Sequence, residues 1–267
     1  MMRLIAILLA LLFAGSPVSF AGESLERLFS NEGIAGSITI YNPEADEWIY
    51  SDQADALVGS IPASTFKILH SLIALEEKVL TPYEILKWDG EDKTFKGKAV
   101  SSWNADTNLE EAFRNSVIWF YVEISKRISR EVYGKYLVEI GYGNLDLSEE
   151  GPDFWNYGSM EISPQNQVVF LTKLCQMELP FQRENVDLVK KYMKISQDGD
   201  YCLYGKSGWG CKNGKDIGWL VGFLETRNAK YIYATRIVAD SAALPGEFGK
   251  YRSEITLKAF RELGIIN

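Results

Sequence analysis

The spacing of apolar residues changes period twice along the chain. It is strand-like at the start: Ile34–Tyr41 is rich in Ile, Ser and Thr, Asn42-Pro43-Glu44 forms a turn, and Glu47–Ser51 pairs back. From residue 64 to about 195 the spacing is helical. Ser64–Lys78 carries apolar residues at Phe66, Leu69, Ile73 and Leu75, and helices are predicted at Asn108–Asn115, Ser116–Ser129, Arg130–Ile140, Ser163–Met177 and Glu184–Lys194. Turns separate them at Gly141–Asn144 and Gly151–Gly158. After residue 200 aromatic and β-branched residues return in Tyr201–Gly208, Gly218–Glu225 and Tyr231–Val238, with turn-forming Asn213-Gly214 and Asn228 between them. A final amphipathic helix covers about Gly249–Leu263, and Gly264 supplies its C-cap signal.

Strands at both ends with helices between them imply a mixed α/β chain of the α+β kind. One antiparallel sheet is built from both termini, and a helical lobe is inserted in it. The expected sheet lobe covers about 24–63 and 196–267, the helical lobe about 64–195, within a single domain over 22–267. Active sites favour the seam between such lobes. Residues 1–21 read as a secretory signal peptide, with Arg3 as its positive start, Leu4–Phe13 as an apolar core too short for a stable anchor, and small residues at Ser19 and Ala21. Gly22 follows in place of a cysteine, so nothing points to lipid attachment. A periplasmic or secreted protein with no stable membrane association after cleavage is expected.

Charge narrows the partners. The formal net charge is −8 and becomes −9 once Arg3 leaves with the signal. Such an acidic protein is a poor ligand for nucleic acid or anionic membranes. An anionic substrate would need a few local cations acting against the global field. The cysteines, Cys175, Cys202 and Cys211, are odd in number. Cys202 and Cys211 flank a probable strand whose extension exceeds the ~6 Å a bridge allows, so no structural disulfide is expected. A single histidine, His70, argues against a zinc hydrolase, whose metal needs several His or Cys ligands.

The chemistry centres on Ser64-Thr65-Phe66-Lys67. A lysine three residues after a serine lies on the same helical face, with Cβ atoms roughly 5–6 Å apart. An amine there can take the hydroxyl proton if its own charge is suppressed. His70 sits about 240° around the helix from Ser64 and reads as a structural or surface residue. The pair alone is weak, because a chain of this length carries roughly one by chance. Further along stand Trp103-Asn104, Ser116-Val117-Ile118, Tyr142-Gly143-Asn144, Phe154-Trp155 and Lys206-Ser207-Gly208.

This ordered set resembles the class D serine β-lactamases, the oxacillinases, over essentially the whole chain after the signal. The resemblance implies the serine β-lactamase/D,D-peptidase-like fold and a hydrolase that opens penicillins and related β-lactams, giving antibiotic resistance. Ser64 is then the nucleophile. Lys67 is carboxylated by CO2 to a carbamate that acts as general base, and no other cofactor or metal is implied. Phe66, Val117, Ile118 and Trp155 form the apolar wall that depresses the lysine pKa, and the Trp155 indole N–H donates to the carbamate. Ser116 relays a proton to the leaving nitrogen. Backbone N–H groups of Ser64 and Trp209, the residue after Gly208, hold the oxyanion. Lys206, Ser207 and Arg252 bind the substrate carboxylate. Tyr142-Gly143-Asn144 is expected to be structural.

Three positions depart from the family pattern. Ile118 replaces a valine, Ser207 stands where threonine is also frequent, and Asn156 stands where a leucine is usual. Asn156 is expected to alter water access to the base. The segment Trp209–Asp216, with Lys212, is expected to border the site and set the substrate spectrum. The competing readings are a β-lactam-sensing receptor domain that acylates without turnover, a D,D-peptidase, and a binding protein that has lost turnover. Nothing in the sequence fixes an oligomeric state.

Overall fold

The computed structural model describes residues 18–243 and 248–267. The first 17 residues of the expected signal peptide lie outside the described residues. In chain order the elements are α1 (Val18–Ser30), β1 (Ala35–Asn42), β2 (Glu47–Tyr50), a 3-10 turn at Ala63–Phe66, α2 (Lys67–Glu76), and the two-residue strands β3 (Thr94–Phe95) and β4 (Lys98–Ala99). Then come α3 (Leu109–Asn115), α4 (Ile118–Ser125), α5 (Arg130–Ile140), α6 (Phe154–Tyr157), α7 (Pro164–Gln176) and α8 (Arg183–Tyr192). The chain closes with β5 (Lys194–Asp198), β6 (Tyr201–Lys212), β7 (Lys215–Thr226), β8 (Lys230–Asp240) and α9 (Phe248–Glu262).

The main sheet has the order β2-β1-β8-β7-β6-β5, and every neighbouring pair is antiparallel. It joins the two ends of the chain through the β1–β8 pair, whose register runs from Ala35↔Val238 to Tyr41↔Ile232. The sheet is covered on both faces, which is why β7 is buried almost throughout. On one face Leu25 and Phe29 of α1 and Ile255, Ala259 and Phe260 of α9 form a cluster with Ile38, Leu220, Leu224 and Ile237. On the other, α2 and the helices inserted after it share a larger cluster with Trp219, Val221 and Phe223. No described helix is long and apolar enough to cross a membrane.

Local chemistry sets the boundaries. Asn108, Ser129 and Ser163 cap α3, α5 and α7 by accepting from the backbone N–H three residues on, and Pro164 opens α7. The β6–β7 hairpin closes on Asn213-Gly214 with φ of 53° and 71°, the left-handed pair a two-residue turn requires. That turn corrects a sequence expectation. Lys206-Ser207-Gly208 does not end a strand; β6 runs on through Trp209 to Lys212, and β7 begins at Lys215, so most of Trp209–Asp216 is paired ladder. A second correction concerns Ser116. It does not start a helix but sits between α3 and α4 in the left-handed region, because α3 ends there and α4 begins at Ile118 and stops at Ser125. The short β3–β4 hairpin and the exposed strand β5 carry no apolar alternation that would predict them.

Tyr142-Gly143-Asn144 has the structural job expected of it. Asn144 N–H donates to the Glu161 carbonyl at 2.9 Å, and its side chain donates to the Ser159 carbonyl at 2.8 Å. The turn thus fixes the loop whose Ile162 bridges to Ser60 beside the 3-10 turn. Gly143 has φ +62°, and a Cβ there would lie 2.2 Å from the Glu161 carbonyl oxygen. We expect Gly143→Ala to cost about 2–4 kcal/mol, read as a shift in denaturant midpoint at constant m-value.

Candidate active site

The turn that carries Ser64 is built under constraint. Ala63 adopts φ +47° and Ser64–Phe66 follow as a tight 3-10 turn that runs into α2. This places Ser64, 8% exposed, just before a helix that is buried from Lys67 to Leu75. Lys67, the first residue of α2, is wholly buried, and its Nζ lies 2.7 Å from Ser64 Oγ. Strand β6 packs directly against this turn. A Cβ on Gly208 would meet the Pro62 carbonyl at 3.0 Å, and one on Gly210 would meet Ile61 Cδ1 at 2.6 Å. Glycine at both positions lets Trp209 sit beside Ser64 in the paired strand.

The lysine pocket is aromatic. Lys67 Nζ stands 5.2 Å from the Tyr121 ring centroid. Trp155 of α6 stacks on Phe66 at 6.0 Å and meets His70 edge-on at 5.0 Å. Val117 is buried, whereas Ile118 is only half-buried at the start of α4. His70 is not a surface residue: it is fully buried, bonded to the Tyr133 hydroxyl through Nε2 at 2.7 Å, and enclosed by Phe66, Tyr121, Tyr133 and Trp155. Burial, and then the nearby Lys67, hold its imidazole well below the usual pKa. For Lys67, burial and secondarily Lys206 push the amine well below the usual lysine range. Among the described residues no carboxylate pairs with it.

Two side-chain donors of α6 have no partner. Trp155 Nε1 and Asn156 Nδ2, adjacent on α6, are buried without a hydrogen bond. Leaving a buried donor unpaired costs roughly 1–3 kcal/mol, so such groups mark a place for an acceptor.

Across the cleft, Ser116 is held at φ 59° and ψ 34°. Left-handed backbone in a residue with a side chain costs on the order of 1–3 kcal/mol. It aims Ser116 Oγ at Lys206, whose Nζ donates to it at 2.6 Å. Lys206 is 4% exposed, and burial together with the Arg252 charge brings its pKa down to about 7. Arg252, on the first turns of α9, donates to the Gly208 carbonyl at 2.8 Å, and burial lowers its pKa to about 10. Neither cation has a carboxylate partner among the described residues, which leaves a ready anion site. Beside it opens a cleft of about 340 Å³ lined by Phe113, Tyr192, Lys206, Ser207, Arg252 and Ser253. Strand β5 pairs with β6 only from Tyr201 to Tyr204, so among the described residues the side of Lys206–Lys212 away from β7 has no strand partner.

Of the residues singled out in the sequence, hydrogen bonds join Ser64 to Lys67, Ser116 to Lys206 and Arg252 to Gly208, while Ser207 lines the cleft with Lys206 and Arg252. Sequence reasoning missed Tyr121 beneath the amine. It also missed two tethers of the rim: Lys212 pairs with Glu161 at 2.8 Å, and Lys96 pairs with Asp216 at 2.5 Å.

Comparison with known proteins decides the family. The penicillin binding protein transpeptidase domain matches residues 36–262. Probable beta-lactamase YbxI of Bacillus subtilis is 33% identical over 233 residues, covering 86% of this chain and 82% of YbxI. The crystal structure of a class D beta-lactamase from Sebaldella termitidis superposes with a TM-score of 0.86 at 38% identity, covering 91% of this chain and 96% of that one. The chain belongs to the class D β-lactamases. The regulatory protein BlaR1 of Bacillus licheniformis is also related, at 29% identity over 245 residues that span 39% of its length.

For this class D β-lactamase the buried amine is a burden on the fold. A lysine whose folded pKa lies below its unfolded value destabilises the protein wherever the unfolded chain holds the extra proton, so stability rises with pH across that window. We expect Lys67→Met to raise stability at neutral pH by about 1–3 kcal/mol, while abolishing turnover. Calorimetry in CO2-free buffer beside a hydrolysis assay checks both.

Proposed function

We propose that this chain hydrolyses the β-lactam ring of penicillins and related antibiotics through an acyl-enzyme on Ser64, and so confers resistance. The observation that carries the reading is the unpaired, buried Lys67 amine 2.7 Å from the Ser64 hydroxyl. Ser64 Oγ attacks the lactam carbonyl and gives up its proton on the Lys67 side. The backbone N–H groups of Ser64 and Trp209 hold the developing oxyanion, which the close packing of β6 on the 3-10 turn supports. The C–N bond breaks, and Ser116 donates its proton to the leaving nitrogen. Lys206 at 2.6 Å, with a pKa of about 7, can restore that proton at neutral pH. The substrate carboxylate occupies the Lys206–Ser207–Arg252 site, where two cations offset a chain of net charge −8. Water then attacks the ester and frees Ser64.

The pocket fits a carbamate on Lys67. Carboxylation by CO2 requires an uncharged amine, and burial favours that form. The orphaned donors of Trp155 and Asn156 would hold the product's oxygens. Once in place, the group would supply a carboxylate-type base next to Ser64. By this reading bicarbonate raises activity most under mildly acidic conditions, where falling pH protonates the amine and favours loss of CO2. Activity indifferent to bicarbonate would make Lys67 a plain amine base. From the leader-like start of the sequence we also infer export to the periplasm or beyond.

The related regulatory protein favours one alternative, a receptor domain that acylates and stays acylated. Single-turnover mass spectrometry with a penicillin separates the two. A Ser64 adduct that forms and disappears within seconds supports hydrolysis, and one lasting many minutes supports the sensor. Asn156→Leu is expected to change the rate of adduct loss without changing its formation; an unaltered rate removes Asn156 from the water path.

A further inference from the structure

Asp216 is an acid with an unusual setting. At the start of β7, its side chain is fully buried. It accepts from Lys96 Nζ at 2.5 Å, from Trp209 Nε1 at 2.5 Å and from Ser241 Oγ at 2.6 Å. Burial pushes its carboxyl up, but these hydrogen bonds outweigh burial and leave it below the ordinary carboxylate range. Its partners come from three separate parts of the chain, and one of them is the ring of the residue next to Gly208.

Lys96 is at the tip of the β3–β4 hairpin, with Lys96 and Gly97 at φ 49° and 74°. Two-residue strands have no independent stability, so the hairpin stands only by what it touches. Phe95 meets Trp209 edge-on at 5.5 Å and Trp103 at 6.2 Å, and Lys96 Nζ lies 5.6 Å from the Trp209 ring centroid. Trp103 in turn donates to the carbonyl of Asn115, the residue before Ser116, at 2.9 Å. Residues 94–103 therefore reach from the Ser116 side of the cleft to the Trp209 side.

We propose that the Lys96–Asp216 pair latches this hairpin across the cleft, which makes Lys96 and Asp216 residues that set how large a substrate substituent the site admits. The aromatic run Trp103–Phe95–Trp209 is the wall, and the ion pair fixes its distance from the strand. A buried carboxylate orients the lysine far better than an exposed pair would, because Asp216 already holds Trp209 and Ser241. The proposal rests on the β-lactamase reading for its substrates, though the latch itself does not.

Lys96→Met keeps the aliphatic stem and removes the charge, and Lys96→Arg keeps the charge. With one penicillin carrying a small side chain and one carrying a large branched aryl side chain, Lys96→Met should raise the bulky-to-small ratio of kcat/KM about 3- to 10-fold. The gain should fall in KM, and Lys96→Arg should hold the parent ratio. Amide hydrogen exchange of residues 93–100, measured without substrate, should speed up in Lys96→Met and stay near parent in Lys96→Arg. An unchanged exchange rate, an unchanged ratio, or equal loss on both penicillins would overturn the latch. If the parent hydrolyses neither penicillin, the functional reading fails, and the exchange experiment still decides the latch.

Discussion

A buried primary amine with no counter-ion, set against a hydroxyl, is the condition around which the site is arranged. Water would solvate Lys67 as an ammonium, and an acid beside it would keep it one; the helical lobe supplies neither. Phe66, Tyr121 and Trp155 crowd the α2 terminus, and the nearest charged group is another cation, Lys206. Desolvation and like-charge repulsion act in the same direction on both lysines. The result is a pair of titrating amines on opposite sides of the cleft, one linked to Ser64 and the other to Ser116.

The fold spends strain at these points. Ala63 and Ser116 both hold left-handed backbone while carrying a Cβ; Ala63 precedes Ser64, and Ser116 carries the hydroxyl that faces Lys206. The surrounding packing over-determines them: Ala63 is fully buried against β6, and Ser116 is pinned between two helices. Gly208 and Gly210 complete the arrangement from the strand side by removing the side chains that would keep β6 away from the turn. Backbone, more than side-chain chemistry, brings the two lobes into register.

Much of this was legible because the longest elements carry strong periodic signals. Arg130–Ile140 matches its helix end for end, and the β1–β2 turn at Asn42-Pro43-Glu44 joins two paired strands. Ser64 and Lys67 could be singled out because order along the chain added what spacing alone lacked. The failures have physical causes. Ser116 has the residue type of a helix N-cap, but its left-handed angle is imposed by the packing of α3 against α4. Gly208 and Gly210, close together, argue against a strand, yet both are there for the Ser64 turn packed against them. His70 could be read as structural or surface, and the aromatic rings that close around it decide for the structural reading. Lys96 and Asp216 are too far apart in sequence for any local pattern to join them.

The pairing of β1 with β8 has a consequence for how the molecule comes into being. The first strand of the sheet waits for a partner whose last residue is Asp240, so a growing chain on the ribosome presents an edge it cannot yet satisfy. Contacts of such long range close slowly, and they delay cooperative folding of the sheet until β8 has emerged. A chain that stays open until then is one that can still be threaded through a narrow pore.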